Sequence, residues 1–130
     1  LGIPVPTTQS FGSARLPAAL HKLSADLLAS ALHLDAEDDT NLRAYRRAAA
    51  NVPPSSKGGE VKDSTILEEC LALARHLRAA DFTAKLIYCT SNTADYCLSG
   101  KLHVEIQNAF SPLLIDFVTT LPWAVAELKR

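Results

Sequence analysis

Leu86-Ile87-Tyr88-Cys89-Thr90-Ser91-Asn92-Thr93-Ala94-Asp95-Tyr96 is the stretch on which the fold turns. It opens with an apolar run that is short, carries no helical stripe and gives way at once to a polar turn. Coming after a helix, such a run between Lys85 and Thr90 reads as a buried parallel strand. The helix before it is marked by Ile66, Leu67, Cys70, Leu71, Ala74 and Leu77, which recur at helical spacing. Asp63 and Ser64 stand at its start, with Glu68 and Glu69 in its first turns, as the helix dipole prefers. Downstream, His103 to Phe110 suits a short helix, Leu114 to Thr119 a second strand, and Pro122 opens a last helix through Trp123, Ala126 and Leu128. Helix, strand, helix, strand, helix predicts an α/β unit with a parallel sheet.

Upstream of this unit the chain is helical. Leu16, Leu20, Leu23, Leu27, Leu28, Ala31 and Leu32 mark an amphipathic helix, with Pro17 near its first turn where a missing N–H is harmless. An acidic break from Asp35 to Thr40 follows. A second helix then runs through Leu42, Tyr45, Ala48 and Ala49, with Arg43, Arg46 and Arg47 expected on its wetter side. Asn51 to Gly59 is a loop of prolines, serines and glycines, too short to imply a second domain. Leu1 to Ser10, with Pro4 and Pro6, reads as an extended entry segment. There is no internal repeat and no low-complexity segment.

The 130 residues suffice for one domain with a buried core. Apolar residues make up 48% and charged residues 21%, a globular composition, and the net charge of −1 excludes a broadly basic nucleic-acid-binding surface. A local basic rim beside an acidic site remains compatible with it. Cys70, Cys89 and Cys97 show no C-x-x-C spacing; Cys70 on a helical stripe and Cys89 within a strand are expected to be buried free thiols, and a cytoplasmic location follows as the default. No run approaches the length of a membrane span.

Chemistry in an open α/β sheet gathers beyond the C-terminal ends of the strands. Two clusters are expected there: Glu60-Val61-Lys62-Asp63 at the entry to the long helix, and Thr90 to Tyr96 directly after the strand. Carboxylate and amide oxygens suit Mg²⁺ or Mn²⁺, ions that accept few protein ligands alongside water and phosphate. The same residues also have plain structural uses. Asp63 suits a helix N-cap, Asn92 and Asp95 suit a turn, and Lys62 suits a solvated surface. His21, His33, His76 and His103 form no ligand spacing. The Lys57-Gly58-Gly59 loop lacks the order of a phosphate-binding P-loop.

Lys57-Gly-Gly-Glu-Val-Lys-Asp63 with the Thr65-Ile-Leu-Glu-Glu69 helix, the Leu86 to Tyr96 strand and turn, and Asp116 to Ala124 together resemble the second half of bacterial PIN-domain proteins. The resemblance covers residues 57 to 128. It implies a Rossmann-like parallel sheet flanked by helices, behind a helical first half, in a single PIN-like domain over residues 1 to 130. It also implies a Mg²⁺- or Mn²⁺-dependent endoribonuclease in which Asp63, Asn92 and Asp95 hold metal and carry catalysis. Lys57, Lys62, Thr90 and Ser91 would bind substrate, aided by the arginines of the second helix. RNA, an antitoxin-like protein and a second copy of the chain are the partners it implies. Such sites use three or four acids, and here no Asp or Glu precedes Asp26; Glu37, Asp38, Asp39 and Glu60 are the remaining stand-ins. With no methionine in the chain, the family's first strand and its aspartate are expected upstream of Leu1, which would leave a fragment lacking activity. The competing expectation is a non-catalytic scaffold that binds a protein partner.

Overall fold

The computed structural model describes residues 15–31, 33, 35, 37–57 and 60–130. The entry segment expected over Leu1 to Ser10, the leucine at position 32 and the two glycines after Lys57 lie outside the described residues. The chain divides into two compact units, Leu1–Leu34 and Asp35–Arg130.

The first unit contains α1 (Arg15–Ser30), close to the helix read from the leucine spacing. Lys22 and Asp26, one turn apart, pair at 2.6 Å on its surface. Leu20, Leu23, Leu27 and Leu28 are all exposed.

The second unit begins with α2 (Asp38–Ala49) and α3 (Val61–Ala79), which pack against each other. Strand β1 (Leu86–Cys89) follows, then the short helix α4 (Thr93–Tyr96) and a tight hairpin of β2 (Cys97–Leu98) and β3 (Lys101–Leu102). Helix α5 (Val104–Phe110) runs into a 3₁₀ turn at Ser111–Leu113, β4 (Ile115–Val118) and α6 (Leu121–Leu128). β1 and β4 are parallel, with Leu86 opposite Ile115 and Cys89 opposite Val118. This is a mixed α/β unit with a two-stranded parallel sheet among the described residues. It is narrower than the Rossmann-like sheet that the resemblance implies.

The core forms where α3 and α5 cover this sheet. Leu67, Leu71, Tyr88, Tyr96, Ile106 and Phe110 are buried together, with Ile115 and Phe117 of β4 packed against them. Tyr88 anchors the aromatic part, its ring centroid 5.3 Å from Phe110 and 5.5 Å from Tyr96. Its hydroxyl lies 2.6 Å from that of Tyr96, so both phenols are satisfied inside the core. Arg78, near the end of α3, donates to the carbonyls of Phe82, Ala84, Leu113 and Leu114 and ties the loop entering β1 to the turn entering β4.

Several expectations are corrected by the packing. In α2 the buried residues are Thr40, Ala44 and Ala48, whereas Leu42 and Tyr45 face water. Arg43 and Arg47, expected on the wet side, are turned toward α3 and are half-buried. The cause is Glu68 of α3, only 4% exposed, whose carboxylate must be neutralised inside the helix pair. Asp63 is not the cap of α3: Glu60 precedes the first helical residue, and Asp63 lies within the first turn. Cys89, expected to be buried, is exposed because it ends β1, and Cys70 is half-buried; all three cysteines are free thiols. Among the described residues, no helix is long and apolar enough to cross a membrane.

Candidate functional site

Two backbone features carry the polar residues to one edge of the sheet. The first is the connection from α2 to α3. Asn51 takes a positive φ of 53°, which stops α2, and Ser55 turns its hydroxyl to the Glu60 carbonyl. The same hydroxyl lies 2.6 Å from the Ser64 hydroxyl, in a buried pair that seats the loop on the start of α3. The second feature is the exit from β1. The Thr90 N–H still bonds to the Val118 carbonyl, and the Thr90 hydroxyl accepts from the Asn92 N–H at 3.2 Å. The chain then turns into α4, so that Asn92 and Asp95 face the first turn of α3.

The result is a polar cleft of roughly 360 Å³ lined by Pro54, Ser55, Lys57, Glu60, Asp63 and Asp95, with Asn92 bridging its two aspartates. The Asn92 amide donates to Asp95 Oδ2 at 2.9 Å and reaches Asp63 Oδ2 at 3.5 Å, the first a good hydrogen bond and the second a long one. Lys57 donates to the Ala94 carbonyl, and its ammonium lies 4.0 Å from Asp95 Oδ1. Asp63, Asn92 and Asp95 are each half-buried, reachable by a ligand yet held by neighbours. Beneath them the Tyr96 hydroxyl donates to the Asp63 carbonyl at 3.3 Å, joining the site to the aromatic core. Burial holds the Tyr88 and Tyr96 phenols above their ordinary range, and the nearby Asp63 charge adds to the effect.

The three residues expected to hold metal are thus brought together, and Lys57 stands at their rim. Thr90 shapes the turn through its hydroxyl, while Ser91 is exposed and its carbonyl accepts from the Thr93 N–H. Lys62 is exposed and is not among the residues lining the cleft. Of the acidic stand-ins, Glu60 lines it, Glu37 pairs with His76 at 3.0 Å, and Asp39 lies beside Arg43.

Oxygen donors of this kind suit a hard divalent ion. The number of donors falls short, for among the described residues no three Asp, Glu, His or Cys side chains form a group that could hold a metal. The two carboxylates are joined by the N–H2 group of Asn92, a donor that does not ligate a cation, so the residues present make no complete ligand set for such an ion.

Glu68, expected only as a glutamate favoured by the helix dipole, is a buried charge. Glu68 lies two turns into α3, receiving Nε and an Nη of Arg47 at 3.0 and 2.7 Å and Nε of Arg43 at 3.3 Å. Its signal was faint, a glutamate four residues before the apolar Ala72 and one after Leu67, on a helix whose dry face it shares.

Compared with family models, with curated proteins and with solved structures, the chain matches none.

Proposed function

We propose that this protein is a metal-dependent ribonuclease of PIN type, using Mg²⁺ or Mn²⁺ at the Asp63–Asn92–Asp95 cleft to hydrolyse RNA phosphodiesters. One observation carries the reading. Asp63, 29 residues away from Asn92 along the chain, meets Asn92 and Asp95 just beyond the C-terminal end of a parallel strand, where α/β sheets place their ligands. A divalent ion held there by Asp63 and Asp95 would supply Lewis acidity toward a phosphodiester. The protein's own groups have separable tasks. Asp63 and Asp95 present anionic oxygens, Asn92 fixes the separation of their carboxylates, and Lys57 offers positive charge to a phosphate entering over Asp95. Thr90 keeps the turn in register through its bond to Asn92.

Calorimetric titration of the full chain with MnCl₂, followed by cleavage of a labelled oligoribonucleotide, tests this. Saturable Mn²⁺ binding and Mn²⁺-dependent cleavage are expected, with both reduced at least tenfold in Asp63→Asn and Asp95→Asn; a loss of this size corresponds to about 1.4 kcal/mol. Cleavage that survives unchanged in Asp63→Asn refutes the assignment.

A second reading has one observation in its favour, the shortage of a third acid among the described residues. On that reading the fold is a non-catalytic PIN-like scaffold that binds a protein such as an antitoxin-like peptide. The Mn²⁺ titration then returns no saturable heat.

A further inference from the structure

The α2–α3 pair carries a second cleft, of roughly 390 Å³, lined by Arg43, Arg46, Arg47, Ala50, Val52, Glu68 and Arg75. Four arginines and one glutamate among these residues carry a formal charge of +3 in a chain whose net charge is −1, while the arginine stems with Ala50 and Val52 form most of the wall. The arginines divide by task. Arg47 is fully engaged, with Nε and one Nη on Glu68 and the other Nη on the Pro53 carbonyl. Arg43 divides its donors between Glu68 and the Thr40 hydroxyl, with Asp39 at 3.8 Å. Arg46 and Arg75 are exposed and make no ion pair or side-chain hydrogen bond among the described residues. Glu68 and Arg75 are seven residues apart and so share a face of α3, with Arg75 about 10 Å further along the helix.

We infer that this cleft binds phosphate groups of an RNA strand, with Arg46 and Arg75 as the contacting residues and Glu68 holding Arg43 and Arg47 in place beneath them. Guanidinium forks match phosphate oxygens and are weakly hydrated, so they yield their water at modest cost. Arg43 and Arg47, held against Glu68, add their charge to the cleft without contacting the phosphate themselves. The identity of the strand as RNA rests on the nuclease reading; the phosphate chemistry does not.

Position supports the inference as well. The Val52–Ser55 loop separates the two clefts: Val52 lines the arginine cleft, and Pro54 and Ser55 line the acidic one. At about 1.5 Å per residue, Arg75 lies about 18 Å along α3 from Asp63, a distance that a few nucleotides cover. A strand that reaches both clefts must also turn about 120° around α3. Uncleaved phosphates would rest on the arginines while the scissile one meets Asp63 and Asp95.

The test is the salt dependence of binding, measured in EDTA so that no cleavage occurs, with a fluorescent single-stranded oligoribonucleotide and the full chain. Each phosphate neutralised on a single strand contributes about 0.7 to the slope of log K against log salt. Arg46→Ala/Arg75→Ala should lower that slope by about 1.4, so that a fourfold rise in salt weakens binding about sevenfold less than in the parent. Lys101→Ala/Lys129→Ala removes the same charge from exposed positions elsewhere and should leave the slope within a few tenths of the parent value. Thermal melting of each variant shows whether it is folded. An unchanged slope in the arginine variant, an equal fall in the lysine variant, or no RNA binding by the parent overturns the inference. Failure of the nuclease reading looks different: RNA is held through Arg46 and Arg75, yet Mn²⁺ produces no cleavage. Cleavage with an unaltered slope in the arginine variant overturns the inference alone.

Discussion

Replacing Glu68 with alanine asks whether α2 is held on α3 through one buried charge. The Glu68 side chain is 5% exposed, that of Arg47 15% and that of Arg43 35%. Removing one member of a fully buried ion pair costs about 3–5 kcal/mol, because the remaining charge is left without a partner in a poorly solvated place. Stranding would be incomplete here. Arg47 keeps the Pro53 carbonyl, and Arg43 keeps the Thr40 hydroxyl and access to water. The expected loss is therefore about 2–4 kcal/mol, including the space left by the missing side chain. For a unit of roughly a hundred residues this lowers Tm by about 10–25 °C. Urea denaturation followed by circular dichroism gives the free energy directly, with m unchanged if the native state keeps its extent. The contribution of the pair is isolated by adding Arg47→Met and Glu68→Ala/Arg47→Met. A coupling of about 1.5 kcal/mol or more is expected, with the double variant more stable than the sum of the two losses predicts. A loss below about 0.5 kcal/mol in Glu68→Ala, or a coupling indistinguishable from zero, refutes the reasoning, since surface ion pairs already reach that level.

Three further outcomes follow from the structure. Asn92→Asp removes the amide that separates Asp63 and Asp95 and should cost about 1–2 kcal/mol without metal; Mn²⁺ at a hundred times its Kd should return about 2.7 kcal/mol, and a melt that Mn²⁺ does not shift would count against metal binding at this cleft. Burial raises the phenol pKa of Tyr88 and Tyr96 above the ordinary value of 10.0, so the unfolded chain ionises first on raising pH. The stability contributed by the two neutral phenols is complete below pH 10 and falls as pH rises beyond it, and in a Tyr45→Phe background phenolate absorbance should appear together with unfolding rather than before it. Cys89, exposed at the end of β1, should react with a thiol reagent at once, while Cys70, whose thiol burial and Glu69 hold above its usual pKa, should react at least tenfold more slowly; equal rates would contradict the packing of α3 on the sheet.

How much of this was legible in the sequence depended on the length of the signal. The α3 stripe and the four apolar residues of β1 carried enough period and enough contrast with their flanks to fix both element types to within a few residues. Once a helix and the strand after it are known, the start of the first and the end of the second must lie at one edge of the layer. That is why the chain order alone puts Asp63, Asn92 and Asp95 at one edge. The β2–β3 hairpin was illegible because two-residue strands show no alternation. Its one mark was Ser99-Gly100, where both residues take positive φ, 52° and 76°, as the tight turn of a right-twisted hairpin requires. Gly100 meets that demand without strain; no Cβ is present to collide with the backbone.

The arginines of α2 were misplaced for a different reason. Sorting a helix into wet and dry faces by residue type assumes that charge seeks water, and a buried carboxylate on a neighbouring helix reverses the assumption. Glu68 lies 21 and 25 residues away from its two partners, so no local pattern announces it. Once it is buried, Arg43 and Arg47 must turn inward, and Leu42 and Tyr45 are carried outward by the same rotation of α2. The rotation also decides what is left on the surface. With two guanidinium groups occupied by one carboxylate, Arg46 and Arg75 have no ion-pair partner among the described residues and face solvent. A helix pair built to satisfy one buried acid therefore presents an anion-attracting cleft on one side of the Val52–Ser55 loop, and Lys57 and the two aspartates on the other. Electrostatic order in this unit comes from where Glu68 was buried, and the composition, nearly neutral overall, conceals it.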